Sequence, residues 1–300
     1  MVNFSHPGIS VIVPTYNQAD LLREAIQSII DQTFTDWETI VVNNYSEDST
    51  IDVVESFKDS RISLINFSNH GIIGISRNEG VRHAKADIIA FLDSDDTWTN
   101  LKLERMISVF RQKPGVELVC HDEWLLLENT IKSVMEYGPY KSYHNLLFRK
   151  NCLSTSAVAM LRHKFIEIGG FSEELRFAGA EDYDLWLRLA RAGCTIEYLH
   201  EVLGTFRVHD QSFTAKIQQF CENYLNVLNY HFENWPGKTF FIRYLMQRRR
   251  ADAWRGAARS FLKKGDYRQA RRFLHLAFKE DPLAWKTWVL SAMNLLRGRV

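Results

Sequence analysis

Ile88-Ile-Ala-Phe-Leu-Asp-Ser-Asp-Asp96 joins an apolar run to a cluster of three acids. Five consecutive apolar residues stopped by polar ones read as a strand buried on both faces. Asp93, Asp95 and Asp96 then lie at its carboxyl end, close enough to repel one another unless a cation sits among them. Hard oxygen ligands of this kind suit Mg2+ or Mn2+ bound together with substrate phosphates. The same residues also suit a plain turn capping the next helix, because aspartates are common in turns. Residue chemistry alone leaves both readings open.

Upstream of this strand, the pattern alternates strand and helix three times. Ser10-Val-Ile-Val-Pro14 precedes a helix from Asp20 to Ile30, with Asp20 placed to cap it. Glu38-Thr-Ile-Val-Val42 precedes a helix over Ser49–Phe57, and Ile62-Ser-Leu-Ile65 precedes one over Gly74–Ala84. A further helix follows the acids, from about Asn100 to Gln112. Strands separated by helices predict an α/β fold with a mostly parallel sheet and helices on both faces. In such sheets ligands bind beyond the carboxyl ends of the strands, where the polar clusters of this chain lie. Past Val116 the signals are mixed, with short strands expected at Val116–Cys120, Trp124–Leu127 and Ser156–Leu161 and a helix at Glu181–Ala192. After Gln211 helical patterns dominate, punctuated by Asn234-Trp-Pro-Gly237.

Composition agrees with a globular chain: 300 residues, 46% hydrophobic and 24% charged. No apolar run reaches the roughly 18–20 residues of a membrane span, and Met1 to Ser10 lacks the layout of a signal peptide, so a cytoplasmic location is expected. Cys120, Cys152, Cys194 and Cys221 have no C-x-x-C spacing and read as buried free thiols. The formal net charge is +1, yet residues 238–300 hold 16 Lys and Arg against 4 Asp and Glu, and residues 1–237 hold 21 against 32. There is no G-x-G-x-x-G after the first strand and no G-x-x-x-x-G-K-[ST], so dinucleotide and P-loop readings lack support.

Several stretches occur together: Val11-Ile-Val-Pro-Thr-Tyr-Asn17, Ser28-Ile-Ile-Asp-Gln-Thr-Phe34, Val41-Val-Asn-Asn44, Ser76-Arg-Asn-Glu-Gly80 and Phe91-Leu-Asp-Ser-Asp-Asp96. In order and spacing they resemble the nucleotide-sugar-binding half of inverting family 2 glycosyltransferases of the GT-A fold. Gly169-Gly-Phe171, Ala180-Glu-Asp-Tyr-Asp-Leu-Trp-Leu-Arg188 and Phe206-Arg-Val-His209 are similar to that family's acceptor-side and C-terminal motifs. The resemblance covers Ile9 to Phe213. It implies a GT-A domain over 1–212, divided into a donor half (1–115) and an acceptor half (116–212), followed by a helical region over 213–300.

The resemblance also implies roles. Pro14, Thr15, Tyr16 and Asn17 would hold the base and ribose, Arg77 and Asn78 would touch the nucleotide, and Asp93 would face the ribose, with Ser94 and Arg207 also on the donor. Asp95, Asp93 and His209 would hold Mn2+ or Mg2+, and Asp182 would be the general base, with Glu181 next and Asp184 third. By the residues alone, Glu181 and Asp182 equally suit the N-terminus of an amphipathic helix, whose dipole favours acids. One departure concerns the base: where the family usually has an aspartate after the second strand, this chain has Asn43 and Asn44. An amide can accept the same hydrogen bond through its carbonyl, so binding survives while uridine specificity comes into question.

In the tail, Trp254, Ala258, Phe261, Gly265, Tyr267, Ala270, Leu274, Ala277 and Pro282 resemble one tetratricopeptide repeat, a hairpin near 249–282. A single such hairpin also reads as a helical appendage packed on an enzyme. The expected function is a metal-dependent inverting transfer of sugar from a nucleotide-diphosphate donor to a glycan or lipid-linked acceptor in cell-surface polysaccharide synthesis. The rivals are a sugar-nucleotide nucleotidyltransferase and a catalytically silent binding module. Nucleic acid is not an expected partner. The basic charges of 238–300 suit either solvated helix faces that neutralise the acidic body or peripheral contact with the anionic inner face of a membrane.

Overall fold

The computed structural model describes residues 7–127, 130–209 and 216–297. Strand β1 (Ile9–Thr15) is buried along its whole length and leads into α1 (Ala19–Ile30). Then come β2 (Trp37–Asn43), α2 (Thr50–Ser56), β3 (Ile62–Asn66), α3 (Ile73–His83), β4 (Ile88–Phe91), the two-residue β5 (Thr97–Trp98) and α4 (Lys102–Gln112). The second half runs β6 (Leu118–Leu127), β7 (Thr130–Met135), α5 (Tyr143–Phe148), β8 (Val158–Leu161), α6 (Arg162–Glu167), a 3-10 turn at Leu175–Phe177, α7 (Glu181–Arg191) and β9 (Ile196–Val208). The chain ends in α8 (Ile217–Glu233), α9 (Phe240–Lys263), α10 (Tyr267–Glu280) and α11 (Trp285–Arg297).

The sheet order is β3-β2-β1-β4-β8-β6-β9-β5, with β7 paired to β6. The first four strands are parallel, as the strand–helix alternation predicts. Antiparallel pairs enter where β8 joins β4 and β6, where β7 joins β6 and where β5 joins β9, while β6 and β9 run parallel. Pro14 is tolerated in the central strand because β4 pairs with β1 only over Ser10–Ile12. Ile9, Val11 and Val13 pack with Leu22, Ala25, Ile26 and Ile29 of α1 and with Leu103, Met106 and Ile107 of α4. On the opposite face α3 lies so close to β1 that a Cβ at Gly80 would come within 2.5 Å of an Ile12 methyl, which leaves room only for glycine.

Three expectations need correction. Asp20 does not cap α1: the Ala19 N–H donates to Asp48 Oδ2 at 2.9 Å, so the cap comes from the β2–α2 loop. The two strands expected over Val116–Leu127 are one continuous strand, whose polar centre His121-Asp122-Glu123 is buried rather than looped out. Asp122 there accepts from the Tyr137 N–H and Glu123 from the Tyr137 hydroxyl. Finally β9, to which no expected element corresponded, is a 13-residue strand parallel to β6.

The chain divides into two compact units, Met1–Leu146 with Asn151–Asp210, and Leu147–Lys150 with Gln211–Val300. The expected boundary at 212/213 falls outside the described residues. Within the second unit, α9 and α10 form a hairpin in which Ala258, Ala270 and Ala277 are fully buried. The Phe273 ring lies 5.6 Å from Trp254 and 5.2 Å from Phe261. All four cysteines are buried free thiols, as expected. No helix among the described residues is long and apolar enough to cross a membrane.

Candidate active site

The parallel strands β1, β2 and β4 release their carboxyl ends side by side, so Thr15, Asn43 and Asp93 emerge at one edge of the sheet. The three expected acids there have different partners. Asp96 is fixed inside: one oxygen accepts from the Ser156 hydroxyl at 2.6 Å, the other from the Arg207 N–H at 2.8 Å. Burial, reinforced by the charge of Asp95, pushes its carboxyl well above the usual range. Asp93 pairs through Oδ1 with Arg77 at 2.6 Å. Asp95 faces His209, Oδ2 to Nε2 at 2.9 Å, and burial together with Asp93 raises its pKa.

Arg77 is the centre of the arrangement. It stands on α3, is 3% exposed, and extends its second terminal nitrogen to Glu181 at 2.8 Å while its guanidinium lies over the Phe171 ring. Both terminal nitrogens of this residue, which was expected to touch the nucleotide, are bound to protein carboxylates. A Cβ at Gly74 would lie 2.9 Å from Glu181 Cγ, so glycine at that position of α3 lets the start of α7 approach. Asn78 is likewise bound to the segment between α6 and α7: its amide donates to Phe171 O and Glu173, and its carbonyl accepts from the Phe171 N–H.

The first turn of α7 separates the three base candidates. Glu181 is buried against Arg77, and Asp184 is buried with its carboxylate held by Arg188. Asp182 alone is half-exposed, accepting from the Tyr183 N–H and, at 3.5 Å, from the Thr155 hydroxyl. Burial of its carboxylate, then the neighbouring Glu181, pushes its pKa up to about 7 against the opposing charge of Arg77.

After β1, Tyr16 is 52% exposed, and Asn17 adopts a left-handed conformation, φ 51°, held by bonds to Ser46 and Glu47. Asn44 Oδ1 accepts from the Asn69 N–H at 2.9 Å, and the neighbouring Asn43 is engaged with Ser46 and Asn66. Ser94 donates to Gln18 at 2.6 Å. Arg207, expected on the donor, pairs with Glu24 of α1. Sequence reading missed Tyr45, an exposed aromatic at positive φ directly after Asn43-Asn44, and Ser156, which accepts from Asp93 N while donating to Asp96. An exposed aromatic right after a strand end was the available signal for Tyr45; none marked Ser156.

Among the described residues no three His, Cys, Asp or Glu side chains converge on a metal-sized space. Asp93, which the resemblance grouped with Asp95 and His209, is paired with Arg77. The Asp95–His209 pair nevertheless suits a divalent cation. Adjacent ligands of an octahedral ion with bonds near 2.1 Å lie about 3.0 Å apart, and such ions commonly take one or two protein ligands, the rest coming from phosphate and water.

Residues 10–168 match the model of glycosyl transferase family 2. The chain belongs to glycosyl transferase family 2. Residues 143–210 also match the N-terminal domain of galactosyltransferase. This family 2 chain is 33% identical over 184 residues to the Escherichia coli UDP-Glc:alpha-D-GlcNAc-diphosphoundecaprenol beta-1,3-glucosyltransferase WfgD, covering 61% of the chain and 70% of the relative. It is 25% identical over 211 residues to the putative teichuronic acid biosynthesis glycosyltransferase TuaG of Bacillus subtilis, covering 70% and 82%. Among solved structures, S. aureus TarS in complex with UDP-GlcNAc aligns with TM-score 0.64 and 17% identity, over 95% of this chain and 88% of that one. Mannosyltransferase PcManGT from Pyrobaculum calidifontis, in complex with GDP-Man and Mn2+, aligns with TM-score 0.59 and 18% identity, over 98% and 86%. The GT-A fold expected from the motifs is the fold found, and family membership displaces the nucleotidyltransferase reading.

Proposed function

We propose that this glycosyltransferase transfers a sugar from a nucleotide-diphosphate donor to a hydroxyl of a glycan or lipid-linked acceptor, inverting the anomeric centre, in polysaccharide synthesis. One observation carries the reading: Asp182, with its carboxyl near 7 and an open edge, is joined through Glu181, Arg77 and Asp93 to the carboxyl end of β4, where Asp95 faces His209. A general base works best when its pKa lies near the working pH. Asp182 takes the proton of the acceptor hydroxyl as its oxygen attacks the anomeric carbon, and the bond to the diphosphate breaks on the opposite face. A single displacement of this kind inverts configuration.

Asp95 and His209, with the remaining oxygen of Asp93 nearby, are the residues that would hold Mn2+ or Mg2+. When bound, the ion supplies positive charge against the departing diphosphate. Tyr16, Tyr45 and Asn44, which follow the ends of β1 and β2, would receive the base. The known acceptor of WfgD, a diphosphoundecaprenol-linked sugar, supports a lipid-linked acceptor here. The small residues Ala258, Ala270 and Ala277 buried in the α9–α10 hairpin support reading it as one tetratricopeptide-like unit.

The test is hydrolysis of UDP-glucose, UDP-N-acetylglucosamine and GDP-mannose with and without Mn2+, which needs no acceptor. Cleavage of at least one donor, dependent on Mn2+ and lost in Asp95→Asn, is expected. Absence of cleavage and of donor binding throughout would leave a silent binding module.

A further inference from the structure

The basic tail is sorted by the fold into an internal and an external set. Arg249 is buried, donating to Leu147 O and the Tyr224 hydroxyl; Arg255 is buried against Thr287 and Asp252; Arg250 pairs with Glu280. Arg249 and Arg255 are thus enclosed, and Arg250 is half-buried in its ion pair. On α10, by contrast, Arg268, Arg271, Arg272, His275 and Lys279 are exposed at i, i+3, i+4, i+7 and i+11, while Ala270, Phe273, Leu274 and Ala277 face inward. This is one continuous basic stripe. The only acid on the helix, Glu280, is engaged by Arg250.

The next helix is patterned in reverse. On α11 the buried positions include the polar Thr287 and Asn294, whereas Trp285, Trp288, Val289, Met293 and Leu296 are exposed, Trp285 by 68% and Leu296 by 74%. Their spacing places them on one face, an exposed apolar stripe. The Trp288 ring packs edge-on against Phe278 of α10, 4.8 Å between centroids, so the apolar stripe begins beside the basic helix. Preceding α11, Leu283 is 86% exposed.

We infer that α10 and α11 form a docking surface for an anionic lipid bilayer. A cationic stripe beside an apolar, tryptophan-bearing one is the composition of an interfacial anchor: the cations meet the headgroups while the rings and aliphatic chains enter the boundary layer. The exposed apolar positions exclude a purely ionic partner, and the stripe of cations excludes a neutral surface as the best occupant. The inference goes beyond the transfer reaction and holds whatever the acceptor.

Sedimentation of the intact chain with phosphatidylcholine vesicles, and with vesicles of equal parts phosphatidylcholine and phosphatidylglycerol, tests it. The chain should pellet with the anionic vesicles alone, and less at high salt, which screens the attraction. Each basic side chain near such a surface changes partition about fivefold, so Arg268→Glu, Arg271→Glu and Arg272→Glu together should lower it about a hundredfold or more. Trp285→Ser with Val289→Ser should weaken binding even at low salt. All five positions are exposed, and an unchanged melting temperature verifies the fold of each variant. The inference is overturned if the intact chain stays in solution with anionic vesicles at low salt. It is equally overturned if sedimentation velocity shows a dimer that the α11 variant abolishes while vesicle partition stays the same, because a second copy then covers the apolar face.

Discussion

His209 Nε2 lies 2.9 Å from Asp95 Oδ2, although 114 positions separate the two residues in the chain. Asp95 belongs to the turn after β4, and His209 follows β9. The Arg207 N–H bond to Asp96 ties the end of β9 to that turn two residues earlier. The pair is therefore held from both sides. Asp95→Asn and His209→Ala should each remove most Mn2+-dependent donor hydrolysis and weaken UDP binding measured with Mn2+ present, with little change in melting temperature. Full turnover in either variant, with the metal still required, contradicts the assignment.

Asp182→Asn should lower kcat by about 10²–10⁴-fold and leave donor affinity nearly constant, since the group acts on the acceptor proton. The base must be ionised to work. Because burial and Glu181 raise the Asp182 carboxyl to about 7, activity should be full above that pH and fall as pH drops through it. The acid limb should disappear in the residual activity of the Asn variant. Loss of activity in Glu181→Gln accompanied by retention in Asp182→Asn would move the base to Glu181.

Linkage adds a stability consequence for the same residue. A carboxyl raised on folding binds its proton more tightly in the native state, so its contribution favours the fold at low pH and is lost as pH rises from about 4 to about 7. Asp182→Asn should therefore melt a few degrees higher than the parent at pH 8, and show a smaller difference at pH 5. Scanning calorimetry at the two pH values decides.

Arg77→Met removes the cation shared by Asp93 and Glu181 and leaves a buried acid without its partner. Breaking such a pair from one side costs about 3–5 kcal/mol, readable in urea unfolding. Arg77→Lys should recover only part of that, because one ammonium cannot copy the two-pronged contact. Parental stability in the Met variant would show that the pairing contributes little.

The Asn69 N–H can only donate, so its bond to Asn44 Oδ1 fixes that amide with its NH2 group on the other side. Asn44→Asp keeps the internal bond and turns the remaining donors into an acceptor. Affinity for UDP relative to GDP should rise severalfold by calorimetry. An unchanged ratio means that Asn44 does not face the base.

The order of strands and helices in the first hundred residues was legible because parallel strands buried on both faces appear as unbroken apolar runs, each followed by a helical period. The Asp93–Asp96 cluster was legible for the same reason, since it ends the most uniform of those runs. The α9–α10 hairpin was visible in its alanine and aromatic spacing. Strand β9 was not, because Glu197, His200, Glu201 and Arg207 interrupt its apolar pattern, and β6 was split by the buried His121-Asp122-Glu123. Nor could local sequence reveal that α1 is capped by Asp48, or that Arg77 bridges Asp93 and Glu181. It could not decide which acid of the Glu181-Asp182 pair turns outward. Each of these rests on a polar side chain meeting a partner from a distant part of the chain. Apolar periodicity is a local property written into neighbouring residues, whereas the partner of a buried charge is chosen only when the sheet brings separate segments together.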